Sequence, residues 1–148
     1  MSLATSSNVF YLTAGWGGAV GLSFFANFEE TEVPTVHFVG FYLCFLLGLV
    51  WAWCTVLATY TLHPMASPWW LVLLRLGLAV MYSITMVTML ITGAVAWSQY
   101  RGQFPVEWSP EAGGWTMHCI STASEWLMAL RCEFDQISQF YLLSDGDE

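Results

Sequence analysis

Three charged or titratable side chains stand in or beside long apolar stretches of this 148-residue chain: Glu125, His118 and Arg75. A carboxyl inside an apolar helix is by default a functional-site hypothesis, because holding it there is costly. His118 precedes Glu125 by seven residues, two helical turns on one face, so the pair could relay a proton or hold a cation. Thr122-Ala-Ser-Glu125 also fits a capping box, in which Glu125 only satisfies backbone N–H groups. Capping or interhelical hydrogen bonding is the plainer reading of this glutamate. His37 opens another apolar stretch, where an imidazole can sense pH between about 5 and 8 or serve as a satisfied interfacial polar residue.

Catalytic chemistry finds little else to use. No nucleophile has a visible base, no glycine loop cradles phosphate, and there is no HExxH or paired-carboxylate arrangement. Cys44, Cys54, Cys119 and Cys132 lack CxxC and metal-ligand spacing. Glu29, Glu30 and Glu32 form an acidic knot without the glycine turn and further oxygen ligands that calcium needs. The expectation is a non-enzymatic protein with no catalytic residue, cofactor or metal.

The elements that must carry these residues follow from composition. The chain is 57% hydrophobic and 17% aromatic but only 9% charged, with no lysine, far below the roughly one-quarter charged residues of soluble domains. Charge falls in islands between apolar blocks, as loops between membrane spans do. The net charge of −8 is spread over these islands and the C-terminus, and three arginines cannot follow a phosphate backbone, so nucleic acid is excluded as a partner.

Blocks 9–28, 36–62 and 69–97 are each long enough to cross a bilayer, which takes about 20 helical residues. The first has no preceding basic residue of the kind that marks a cleaved signal peptide. Gly17 and Gly21 form a small-xxx-small pair there, and Gly40, Cys44 and Gly48 continue the spacing on the second block, so helix packing is expected along both stripes. The acidic knot is then a loop between spans, with Pro34 suited to the first turn of the next helix and the acids favoured by its dipole. Trp69, Trp70 and Trp97 lie near span ends, where amphipathic rings favour the interface. Arg75 is close enough to the start of its block to snorkel outward. A cytoplasmic position for that end would leave the 29–32 loop lumenal or extracellular.

The fourth segment, 117–143, begins as a span would, but Arg131, Glu133 and Asp135 fall near its centre. Insertion costs about 2.5–3.5 kcal/mol for a central Arg or Asp against about 0.3–0.6 regained per large aliphatic residue. Trp126, Leu130, Phe134, Ile137 and Tyr141 share one helical stripe, so an amphipathic helix competes with a fourth crossing. The expected fold is an all-α integral membrane protein, a single membrane domain over 1–148 with three transmembrane helices and this fourth segment. Its expected contacts are lipids, other membrane helices and protein partners.

Two stretches resemble the damage-regulated autophagy modulator (DRAM) family. In "VGLSFFANFEETEVPTVHFVGFYLCFLLGLVW" the matching positions are Asn27, Phe28, Glu29, His37 and Gly40. In "VEWSPEAGGWTMHCISTASEWLMAL" they are Glu107, Trp108, Pro110, His118, Ser121, Glu125 and Trp126, and together the matches bracket roughly residues 12–130. The resemblance implies a six-span protein of lysosomal or endosomal membranes that promotes autophagy, can influence apoptosis and has no established enzymatic activity. Related branches act at the plasma membrane in phosphoinositide kinase recruitment, the alternative location here, or in remodelling of lipid anchors. A proton- or ion-conducting or lipid-handling role would draw on Glu125, His118 and Arg75. The family's first two spans have no counterpart in this chain, and its last span stays apolar where this one turns polar at Arg131. A shortened form is therefore expected, with spans three to five and a modified sixth. Tyr141 and Leu142-Leu143 make no good lysosomal sorting signal, and Cys132 is open to palmitoylation or burial.

Overall fold

The computed structural model describes residues 3–29, 32–65, 67–102 and 108–144, with the side chains of 3–8, 11–12 and 131–144 outside the description. Helices α1 (Leu3–Asn27), α2 (Pro34–Leu62), α3 (Trp69–Gln99) and α4 (Trp115–Ser144) follow one another, with a short 3-10 turn at Pro110–Ala112 before the last. The described fold is all-α. It divides into two compact units, residues 1–79 and 80–148, with the boundary inside α3.

Among the described residues α2 and α3 are long and apolar enough to cross a membrane. Their outward faces are apolar as well: Leu46, Leu57, Ile84, Val87 and Ile91 are all exposed. A helix hydrophobic all round belongs in a core or in lipid, and exposed faces of this kind fit lipid. The expected span 9–28 includes side chains outside the description, and the fourth segment, 117–143, is not among these two. Composition explains the latter, since α4 carries Glu125, Arg131, Glu133 and Asp135.

In the first unit α1 and α2 form an antiparallel hairpin. Pro34 occupies the first turn of α2, which needs no N–H from it, and Val33 before it, at φ −133° and ψ 65°, stays out of the helical region that a following proline disfavours. Glu29 O accepts from the backbone N–H of Glu32 and Val33, so the acidic knot is a backbone-closed turn. Val33 at the N-cap makes no side-chain bond to α2, and exposed Glu29 and Glu32 are favoured near its start by the helix dipole. Glu30 lies outside the described residues.

The interhelical approach is set by glycines. A Cβ on Gly21 would stand 2.5 Å from Cys44 N and 2.9 Å from Gly40 O, and one on Gly40 would stand 2.5 Å from Phe25 N and 2.8 Å from Gly21 O. Backbone therefore lies on backbone here, as at small-residue contacts of membrane helices. Gly17 faces the side chain of Leu47, while Gly18 lies opposite Cys44 and Gly48. Further along unit 1, Ala52, Val56 and Ala79 form a buried core cluster joining α2 to the start of α3.

In the second unit α4 returns along the end of α3. Gly114 lies on the Ala96 backbone, and Ser121 meets Gly93 and donates to Met89 O at 3.1 Å. Hydroxyls elsewhere are satisfied by their own helix, as with Thr88 to Ile84 O, Thr92 to Thr88 O and Ser124 to Ile120 O. This is how polar side chains persist in apolar helices.

Candidate functional site

The first motif gathers at the α1–α2 turn. His37 Nδ1 lies 2.7 Å from Phe28 O, and because a carbonyl only accepts, Nδ1 carries the proton. The imidazole thus clasps the end of α1 from the first turn of α2. Its ring packs at 4.7 Å on Phe25, which also meets Phe41 and Phe45. Asn27 donates its amide to Ser23 O, tying its side chain back onto α1. Phe28 contributes its carbonyl to His37 and its ring to an edge contact with Phe24. Asn27, Phe28, His37 and Gly40 are therefore parts of one hairpin closure, and exposed Glu29 supplies the carbonyl that closes the turn.

The second motif gathers at the α3–α4 corner. Trp108 donates Nε1–H to Gly113 O at 2.9 Å and stacks on His118 with ring centroids 4.2 Å apart and planes 9° apart. Tyr100 and Trp97, from the end of α3, pack on Trp108 at 4.5 and 5.4 Å. Gly113 and Gly114 have φ of 83° and 71°, and Cβ atoms there would strike Gln99 O and Ala96 O. Both glycines are thus required on two grounds, backbone conformation and close approach. Pro110 begins the 3-10 turn, where a hydrogen bond from Ser109 holds the exposed Glu111 carboxyl below the usual carboxylate range. Glu107 lies outside the described residues.

Arg75 departs from expectation. It does not snorkel outward: the residue is 7% exposed, and its guanidinium donates to Thr59 Oγ1 across the α2–α3 pair. Thr59 in turn donates to Thr55 O at 2.7 Å, and Thr55 to Ala52 O at 2.7 Å. A buried guanidinium needs partners in place of water, and this threonine ladder supplies one. Arg75 consequently gives no clue to sidedness.

The capping-box reading of Glu125 is corrected too. Helix α4 starts at Trp115, so Thr122 to Glu125 lie inside it, where backbone N–H groups already bond within the helix. Glu125 is half-buried. Seven residues at about 1.5 Å each separate His118 from it by about 10 Å along the axis, too far for direct contact. His118 is instead committed to the Trp108 stack. Trp126 is 67% exposed on the opposite side from buried Ser124 and Met128. Among the described residues no group of three or more His, Cys, Asp or Glu could hold a metal ion.

Sequence reasoning missed several members of these clusters: Phe25, Thr55, Thr59, Tyr100, Gly113 and Gly114. The signals were present, in the i,i+4 threonines of α2, the Trp97-to-Tyr100 spacing and the double glycine.

The model of the Frag1/DRAM/Sfk1/Cwh43P N-terminal domain matches residues 2–134. The chain is 30% identical over 125 residues to DNA damage-regulated autophagy modulator protein 2 of Bos taurus, covering 80% of this chain and 46% of that protein. It is 25% identical over 122 residues to DNA damage-regulated autophagy modulator protein 1 of Homo sapiens, covering 82% and 49%. With Modulator of macroautophagy TMEM150B of Danio rerio it shares 30% identity over 80 residues, covering 54% and 34%. The chain thus spans about half the length of the autophagy modulator proteins it matches. No solved structure matches it.

Proposed function

The chain belongs to the Frag1/DRAM/Sfk1/Cwh43P family, and from that premise we propose that it is a non-enzymatic, multi-pass protein of lysosomal or endosomal membranes that modulates autophagy. The observation that carries this reading is the likeness to autophagy modulators across 80% of the chain. The protein works through helix packing and protein partners, with the two motif clusters closing its two helical hairpins. Its four helices correspond to spans three to six of the family's membrane domain.

All four helices cross the bilayer in this reading. At about 1.5 Å per residue the 25 residues of α1 reach about 37 Å, beyond the roughly 30 Å hydrocarbon core. Depth along α4 removes the objection raised by its charges. Counted from Trp115, Glu125 stands about 15 Å along the axis, while Arg131, Glu133 and Asp135 stand at about 24 to 30 Å, the far edge of the core. The crossing segment is then roughly the first two-thirds of α4, and Arg131 to Asp135 mark its exit.

Removal of the protein from cells is expected to lower autophagic flux, measured as lysosome-dependent turnover of a lipidated autophagosome marker, and re-expression to restore it. Unchanged flux would overturn the proposal. Residence at the cell surface with altered phosphoinositide levels would favour the plasma-membrane alternative. The mid-depth position of Glu125 supports a second reading, proton or ion conduction. Current across a reconstituted bilayer that is lost in Glu125→Gln would establish it, and absence of current would dismiss it.

A further inference from the structure

We propose that the α3–α4 corner is an interfacial anchor, in which Trp97, Tyr100, Trp108 and Trp115, with Arg101 and Glu111 beside them, seat among zwitterionic phospholipid headgroups and fix the depth of the hairpin. The inference rests on the reading that α3 crosses the membrane.

Continuity with the lipid-facing surface of α3 identifies the occupant. The apolar length of α3 runs to Trp97, the helix ends at Gln99, and the chain turns immediately into the aromatic cluster. The corner therefore emerges where hydrocarbon gives way to headgroups. Rings with an apolar body and a polar N–H or O–H favour that layer over both water and hydrocarbon. Trp97 and Trp115 are 47% and 38% exposed, so ring surface remains available to lipid after the cluster has formed.

The cluster is built to hold its position. Rings come from the end of α3, from the loop and from the start of α4, and they brace one another through Trp108, which packs on Trp97, Tyr100 and His118. The Arg101 N–H donates to Ala112 O at 2.8 Å, closing the loop's backbone beside Glu111. A self-stacked cluster of this kind presents a firm rim.

Charge selects the headgroup. Arg101 is exposed and is the one cation among the described side chains of residues 80–130, and a guanidinium suits a lipid phosphate. Exposed Glu111, ionised at neutral pH as exposed carboxyls are, suits an ammonium, as do the faces of the exposed tryptophans. Paired opposite charges with aromatic faces match a phosphocholine headgroup better than a purely anionic one.

The test uses the full chain labelled with fluorotryptophan in phosphatidylcholine nanodiscs, with Trp97→Phe, Trp108→Phe and Trp115→Phe assigning the signals. A gadolinium chelate carried on the headgroup is expected to broaden these corner signals several-fold more than a spin label at the end of the acyl chain. Stronger broadening by the acyl-chain label, or broadening only by a soluble chelate, would overturn the anchor. Trp53, exposed on α2, is the internal reference. If Trp53 responds to the acyl-chain label and the corner does not respond to the headgroup label, the anchor alone fails. If neither label reaches Trp53, the membrane reading fails and the anchor with it. In phosphatidylglycerol discs the headgroup effect is expected to weaken, and equal broadening in both lipids would refute the zwitterionic preference.

Discussion

Replacing Gly21 by alanine is the sharpest mechanical test of the α1–α2 hairpin. The new methyl would sit 2.5 Å from Cys44 N, 2.8 Å from Leu43 Cβ and 2.9 Å from Gly40 O, two of them backbone atoms that no rotamer change can move. Ordinary contact lies at about 3.5–4.0 Å, so the helices must separate by about 1 Å. Overpacking of this kind costs about 1–3 kcal/mol, and alanine's better helix propensity returns up to about 1 kcal/mol. With the full return the net loss reaches about 2 kcal/mol, which for a chain of this size lowers Tm by up to about 8 °C, and by more relative to Gly77→Ala, which gains propensity alone. Thermal unfolding followed by tryptophan fluorescence in one detergent reads the effect. Gly77→Ala is the control, because nothing lies within 4 Å of its Cβ and only the propensity gain applies. Gly18→Ala, whose nearest contacts are at 3.9 Å, is expected to follow the control. If Gly21→Ala were as stable as Gly77→Ala, the backbone-on-backbone packing would be wrong.

Further outcomes follow from the two clusters and the threonine ladder. Thr59→Val keeps the shape but removes the hydroxyl that receives Arg75, and is expected to cost about 1.5–3 kcal/mol in denaturant unfolding, with Thr61→Val, on the exposed face, within about 0.5 kcal/mol of wild type. Nitrogen NMR of His37 in its neutral form should find the proton on Nδ1, and an Nε2–H tautomer would contradict the clasp. The Glu111 carboxyl should titrate below the ordinary carboxylate range in carbon NMR, and Ser109→Ala should move it back up. A lowered folded pKa means that this contribution to the loop is present above the unfolded value and is lost as pH falls through the folded one. An unmoved titration in Ser109→Ala would show that Ser109 is not its cause.

The helices were legible where local signals act. Pro34 and the break after Leu62 frame α2, observed at Pro34–Leu62 against an expected block of 36–62, and α3 runs Trp69–Gln99 against 69–97. Hydropathy starts the first block at 9, whereas α1 starts at Leu3, because polar residues such as Thr5 and Ser6 do not by themselves stop a helix. What the sequence could not convey is which neighbour a side chain meets. Arg75 looked free to snorkel until α2 brought Thr59 beside it. The capping-box pattern at Thr122 was equally local, while the true start of α4 depends on Gly114 fitting the Ala96 backbone. Spacing also selected Gly17 with Gly21 but not Gly18, whereas all three meet α2, Gly17 at Leu47, Gly21 at Gly40 and Gly18 at Cys44 and Gly48. The motif residues were recognisable singly, but their shared purpose as hairpin closures appears only once Phe28 and His37, or Trp108 and His118, are brought together.

The central claim is most directly tested by locating the full chain, tagged at its N-terminus and expressed near its native level, against lysosomal, plasma-membrane and endoplasmic-reticulum markers. Residence in lysosomal or endosomal membranes, with resistance to alkaline extraction, is the expected result. Residence at the cell surface, or release from membranes by alkali, would contradict it.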